Sequence, residues 1–170
     1  ATGEHGLIDR ADSFGARKRG GAAVAAPFVG LALMPFSTRT RVRFGDCDPA
    51  GLVYYPVLFH YCHTAMEEFF AARCGMSYAR LLAERRLGFP VVNVRAEFFA
   101  PFVYGDEALI EVWASAVGRT SVTFEYRLRR VSDQTLCAGA THVQVAMHLD
   151  ERRAVPVPED LRRAFETSAV

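Results

Sequence analysis

Hydrophobic and polar residues alternate over 38–44, with Thr40, Val42 and Phe44 on one side and Arg39, Arg41 and Arg43 on the other. A period of two predicts a strand with one wetted face, ended by Pro49 and Gly51. The pattern then changes. Residues 57–74 hold no Gly or Pro, Pro56 suits a first helical turn where its missing N–H costs nothing, and Gly75 suits a stop. Leu58, Phe59, Tyr61, Cys62, Ala65, Met66, Phe69 and Phe70 make this helix apolar nearly all round, which predicts an interior position. A shorter helix is expected over 78–86, ended by Gly88.

Period two returns after Phe89 and persists, predicting strands at 91–99, 109–117, 121–131 and 135–149. In the third, Val122, Phe124, Tyr126 and Leu128 oppose Thr123, Glu125, Arg127 and Arg129. In the last, Val143, Val145 and Met147 read as the core side, leaving His142 and His148 facing solvent. Gly105-Asp106, Gly118 and Ser132-Asp133 supply turns, and Pro158 and Glu159 open a terminal helix. Short connections make neighbouring strands antiparallel. The fold class expected is therefore α+β, with a five-stranded antiparallel sheet packed on one long helix. Edge strands of this length want a partner, which predicts a homodimer.

Charge narrows the function. Lys+Arg number 20 against Asp+Glu 19, so no basic field exists for nucleic acid, and an anion must be met by a local site. The four cysteines lack clustered metal-ligand spacing and read as reduced thiols in a cytoplasmic protein. Residues 1–35 carry Gly, Ala and scattered charge without a sustained period. They are expected to form a flexible extension to a domain at 36–170. The apolar run 22–33 contains Pro27 and is shorter than the ~20 residues that span a bilayer, so no membrane role is expected.

The stretch "FGDCDPAGLVYYP" (44–56) concentrates the candidate chemistry. Asp46 and Asp48 stand two apart on extended chain and project to one side. Asp46 reads as a turn former. Asp48 is carried by the turn toward the helix start, where the N–H groups of Val53, Tyr54 and Tyr55 are expected to be free and to form an anion site. A carboxylate facing a carbonyl held on those donors is a nucleophile or general base beside an oxyanion hole. His60, His63 and Glu67 share a helix face; without further ligands they are read as pocket or interface residues rather than a metal site.

This stretch, followed by an apolar helix ending "RCG", closely resembles the hotdog-fold thioesterases of the 4-hydroxybenzoyl-CoA thioesterase family. The likeness continues more loosely through "GFPVV", "FFAPFVYGDE", "GRTSVTFEY" and "VPVPEDLR". It implies a five-stranded antiparallel sheet wrapped around a central helix, in dimers that often join as homotetramers with active sites between subunits. It also implies Asp48 as the catalytic carboxylate and the backbone N–H of Tyr55 as the donor to the carbonyl. Contacts to the acyl group are expected at Tyr54, His63, Thr64, Glu67 and Phe89, and contacts to coenzyme A at Arg119, Thr120 and Ser121. Thr64 and Phe89 stand where relatives have more polar residues, which implies a less polar acyl pocket.

The expected activity is hydrolysis of an acyl-CoA, aromatic before aliphatic, to the acid and free coenzyme A. No metal or other cofactor is implied, since coenzyme A belongs to the substrate. Two alternatives stand beside it: a hotdog module that binds the thioester without cleaving it, and an enoyl-CoA hydratase using His63 or Glu67.

Overall fold

The computed structural model describes residues 35–168. The expected extension at 1–35 therefore lies almost entirely outside the described residues. Strand β1 (Phe36–Arg41) leads through a 3-10 turn (Phe44–Asp46) into helix α1 (Tyr55–Arg73) and helix α2 (Tyr78–Glu84). Five strands alternate with turns after it: β2 (Leu87–Gly88), β3 (Val91–Phe98), β4 (Glu107–Val117), β5 (Ser121–Arg130) and β6 (Leu136–Val145). The short β7 (Met147–His148) and β8 (Arg153–Ala154) precede helix α3 (Glu159–Glu166).

The main sheet runs β1-β4-β5-β6-β3, antiparallel throughout, and α1 lies across it. This is the expected hotdog arrangement. A second sheet, β2-β7-β8, was not expected; it arises because the long final run breaks at Ala146. The first strand also ends earlier than its alternation predicts. Phe44 leaves it for the 3-10 turn and is exposed, its ring edge-on to Tyr104.

Helix α1 begins with Pro56 in its first turn and stops at Gly75, whose φ of +66° favours a residue without Cβ. Its core side carries Leu58, Tyr61, Cys62, Ala65, Met66, Phe69 and Phe70. The opposite side is not interior: His60, His63, Thr64, Glu67 and Glu68 are exposed in the single chain. Phe69 and Phe70 anchor the core in a cluster of edge-on, tilted and stacked rings with Phe124 and Phe165. Burying each such ring contributes about 1.5–3 kcal/mol.

Strand β6 corrects the expected facing. His142 and Gln144 are buried, whereas Val143 and Val145 are only partly covered. The register with β5 decides this: Val122 pairs with Gln144, Phe124 with His142, Tyr126 with Ala140 and Leu128 with Ala138. Paired residues share a face, so the strong apolar alternation of β5 forces His142 and Gln144 inward against their own polarity. Strand β3 is the opposite case. It is an edge, and Val91, Val92, Val94 and Phe98 are all exposed.

Candidate active site

Two aspartates two residues apart do different work. The Asp46 Oδ2 accepts hydrogen bonds from the Arg43 backbone N–H at 2.7 Å and the Tyr61 hydroxyl at 2.6 Å. It pins the 3-10 turn to α1, in the turn-forming role expected. Burial and the Asp46 carboxylate together push the Tyr61 hydroxyl pKa above its ordinary value.

Asp48 stands in a tight hairpin. Cys47 pairs with Val53, the Asp48 N–H donates to the Leu52 carbonyl at 2.8 Å, and Gly51 adopts a φ of +78° to close the turn. The half-buried Asp48 side chain accepts through Oδ1 from the Ala50 N–H at 2.8 Å. Among the described residues no donor reaches its Oδ2. The hairpin is fixed to the segment after β3, because Leu52 pairs with Val103 and the Val53 N–H donates to the Phe102 carbonyl. Asp106 in turn accepts from the Val103 N–H and pairs with Arg130.

Of the three N–H groups expected at the helix start, two are already committed. Val53 donates to Phe102 and Tyr54 donates to the Asp46 carbonyl. Pro56 has no N–H, and Val57 donates to the Tyr54 carbonyl. The Tyr55 N–H has no intrahelical acceptor by position, and none of the described hydrogen bonds engages it. It remains as the donor at this end of the helix, where the aligned peptide dipoles favour negative charge.

Two grooves flank α1. One, of about 310 Å3, is apolar and lies at the helix start, lined by Leu52, Tyr55, Leu58, Phe98, Phe99 and Phe102 among others. The other, of about 260 Å3, runs along β1 and is polar, with Arg41, Arg43, His60 and Thr64 on its walls. The helix thus separates residues grouped together in the sequence. Thr64 and His60 face the β1 groove, with the Thr64 hydroxyl donating to the His60 carbonyl. His63 pairs with Glu67 at 3.1 Å instead, both half-exposed.

Tyr54 is exposed, its ring against that of Tyr55. Phe89 does not line the apolar groove. It is buried in the core between Phe70 and Phe165, its N–H donating to the Tyr78 hydroxyl, because β2 turns it beneath α2. The turn carrying Arg119, Thr120 and Ser121 does not meet Asp48 within one chain. It lies at the Ser121 end of β5, whereas the Asp48 hairpin joins the far end of the sheet beyond Phe98. Ser121 to Leu128 alone spans roughly 23 Å of strand.

The groove walls Leu58, Phe98, Phe99 and Phe102 were missed as site residues, since apolar side chains carry no chemical signal in sequence. The inward facing of His142 and Gln144 was also missed, which a correct register of β6 on β5 would have shown. Among the described residues, no group of three or more His, Cys, Asp and Glu side chains could hold a metal ion, and no helix is long and apolar enough to cross a membrane.

Comparison with known proteins bears on this geometry. The chain is 31% identical over 129 residues to 1,4-dihydroxy-2-naphthoyl-CoA hydrolase of Synechococcus elongatus, covering 75% of this chain and 93% of that one. It is 33% identical over 127 residues to 4-hydroxybenzoyl-CoA thioesterase of a Pseudomonas species, covering 71% and 89%. An aspartate-to-asparagine mutant of 4-hydroxybenzoyl-CoA thioesterase, crystallised with 4-hydroxybenzoyl-CoA, superposes with a TM-score of 0.72 at 29% identity, covering 78% of this chain and 99% of that one. These relatives are named as hydrolases of CoA thioesters. The profile of the thioesterase-like superfamily matches residues 42–165, and the chain belongs to that family.

Proposed function

We propose that this thioester hydrolase is an acyl-CoA thioesterase acting on aromatic acyl groups. The observation that carries the reading is the uncommitted Tyr55 N–H at the helix start, where an apolar groove opens beside the hairpin that bears Asp48. The acyl group lies in that groove with its carbonyl oxygen on the Tyr55 N–H. The Ala50 N–H holds the Asp48 carboxylate through Oδ1, leaving Oδ2 to attack the carbonyl carbon or to take a proton from an attacking water. As the carbonyl becomes tetrahedral, its charge develops against the N–H and the helix dipole; a donor so placed contributes about 100- to 1,000-fold in rate. In the first route the C–S bond breaks to leave an Asp48 mixed anhydride and the thiolate, and water hydrolyses the anhydride and supplies the thiol proton. In the second the water oxygen enters the acid and Asp48 passes its proton to the thiolate as the C–S bond breaks. No cofactor enters any step.

The reading includes a dimer, further joined as a tetramer, that pairs exposed β3 edges. Antiparallel pairing sets the Val91 end of one β3 beside the Phe98 end of the other. It thereby carries the partner subunit's Arg119 turn toward the Asp48 hairpin. Arg119, Thr120 and Ser121 then meet the coenzyme A phosphates across the interface, where a guanidinium and hydroxyls suit them. The cysteines, free among the described residues, suit a reducing cytoplasmic setting. Names of the relatives support an aromatic acyl group. In a thiol-release assay with aroyl-, hexanoyl- and acetyl-CoA, the aroyl thioesters are cleaved with the highest kcat/KM. Absence of thiol release from every aroyl-CoA overturns the reading.

A further inference from the structure

Beneath α1 the sheet presents three polar groups that the fold leaves unanswered. Tyr126, His142 and Gln144 retain 2%, 3% and 1% of their surface, and the Tyr126 hydroxyl, His142 Nε2 and Gln144 Oε1 have no hydrogen-bond partner among the described residues. A buried polar atom without a partner is destabilising, and an apolar residue at any of these positions would avoid that cost.

Their position is defined by strand register. Phe124, His142 and Val94 lie abreast on β5, β6 and β3, and Tyr126 lies abreast of Ala140 and Ala96. Above them runs one i, i+4 stripe of α1: Tyr55, Phe59, His63 and Glu67. The Phe59 ring is 6.4 Å from Tyr55 and 6.0 Å from His142, and His142 contacts Tyr126 at 4.7 Å between centroids. On the open side, Val94 and Phe98 share the inward face of β3 yet remain exposed. Tyr55 and Phe98 also line the apolar groove at the helix start, and the Phe59 ring stands between Tyr55 and His142. His142 lies beside Phe59, which is one helical turn on from Tyr55.

We propose that His142, with Tyr126 and Gln144, forms the polar end of the acyl cleft and hydrogen-bonds a ring hydroxyl, selecting hydroxylated aroyl-CoA over its unsubstituted analogue; this rests on the thioesterase reading above. The donor–acceptor set fits a hydroxyl. The Gln144 oxygen only accepts, the Tyr126 hydroxyl does both, and a hydroxyl can answer each. An anionic substituent would meet the Gln144 acceptor and a neutral imidazole, since burial and the neighbouring His63 push the His142 pKa down to about 4.

The test measures thiol release from benzoyl-CoA against 4-hydroxybenzoyl-CoA, and from 2-naphthoyl-CoA against 1,4-dihydroxy-2-naphthoyl-CoA. Wild type, His142→Phe, Gln144→Leu and Asp48→Asn are compared. A site built to hydrogen-bond a substituent rejects its absence, so wild type prefers a hydroxylated member by about 10- to 100-fold in kcat/KM. In His142→Phe or Gln144→Leu the ratio falls to within about threefold of unity, a change that loss of packing alone would not produce. Equal rates on both members by wild type, or a preference that survives both substitutions, overturns the proposal while leaving the thioesterase reading intact. Hydrolysis that survives Asp48→Asn removes the catalytic reading, whatever the ratio shows. If one variant does not fold, the other carries the comparison.

Discussion

Asp46 and Asp48 are chemically identical and separated by one residue, yet their surroundings assign them opposite tasks. The Asp46 carboxylate is committed to Arg43 and Tyr61, so it can hold the turn but has little freedom to react. Asp48 has a single anchoring bond and an apolar groove beside its hairpin. The turn-forming role expected of Asp46 is the one it takes, but the sequence misjudged the donors, since only the chain path shows that Val53 and Tyr54 are already bonded. His142 shows the reverse. Its chemistry was visible in sequence and its burial was not. Its folded pKa of about 4 lies below the ordinary 6.5, so between these values the unfolded chain binds a proton that the folded chain refuses. The contribution of His142 to stability is therefore constant above about pH 6.5 and falls as the pH drops toward 4, by a loss on the order of 3 kcal/mol. Urea midpoints measured across that range should show the decline in wild type and a flatter profile in His142→Phe.

Among the elements, those with strong periodicity were legible. Helix α1 and strand β5 carry large apolar residues at the right spacing, and Pro56 and Gly75 mark the helix limits to within two residues. Strand β6 was not legible because its inward residues include Ala138 and Ala140, too small to outweigh Val143 and Val145 on the other face. Its facing is a property of the pair, set by β5. Phe89 failed for a related reason: an aromatic residue between Gly88 and Pro90 suits a pocket wall as well as a core, and only the fold of β2 under α2 decides. Edge strand β3 leaves its apolar residues exposed and its outer backbone groups unpaired, a liability that proteins cover. Sedimentation should give two or four times the chain mass, and β3 amides pointing away from β6 should exchange slowly with solvent. A monomer whose β3 amides exchange freely would contradict edge pairing.

For the whole molecule, the sheet sets the distance between the two halves of the proposed site. The Asp48 hairpin sits past one end of β3 and the Arg119 turn at the other end of the sheet, so one chain cannot close both around a single thioester. The proposed pairing of two copies at β3 answers that separation. The rest of the fold serves that placement: the Phe69–Phe70 core fixes α1 on the sheet, and Asp46 and Phe102 fix the hairpin at the helix start. The central claim is that Asp48 performs the hydrolysis. The most direct measurement is kcat for thiol release from 4-hydroxybenzoyl-CoA by Asp48→Asn beside wild type. The substitution keeps the side chain's shape and its acceptor for the Ala50 N–H. A loss of at least about 1,000-fold, with the melting temperature changed by no more than a few degrees, is predicted. A variant that turns over at a rate near that of wild type contradicts the account.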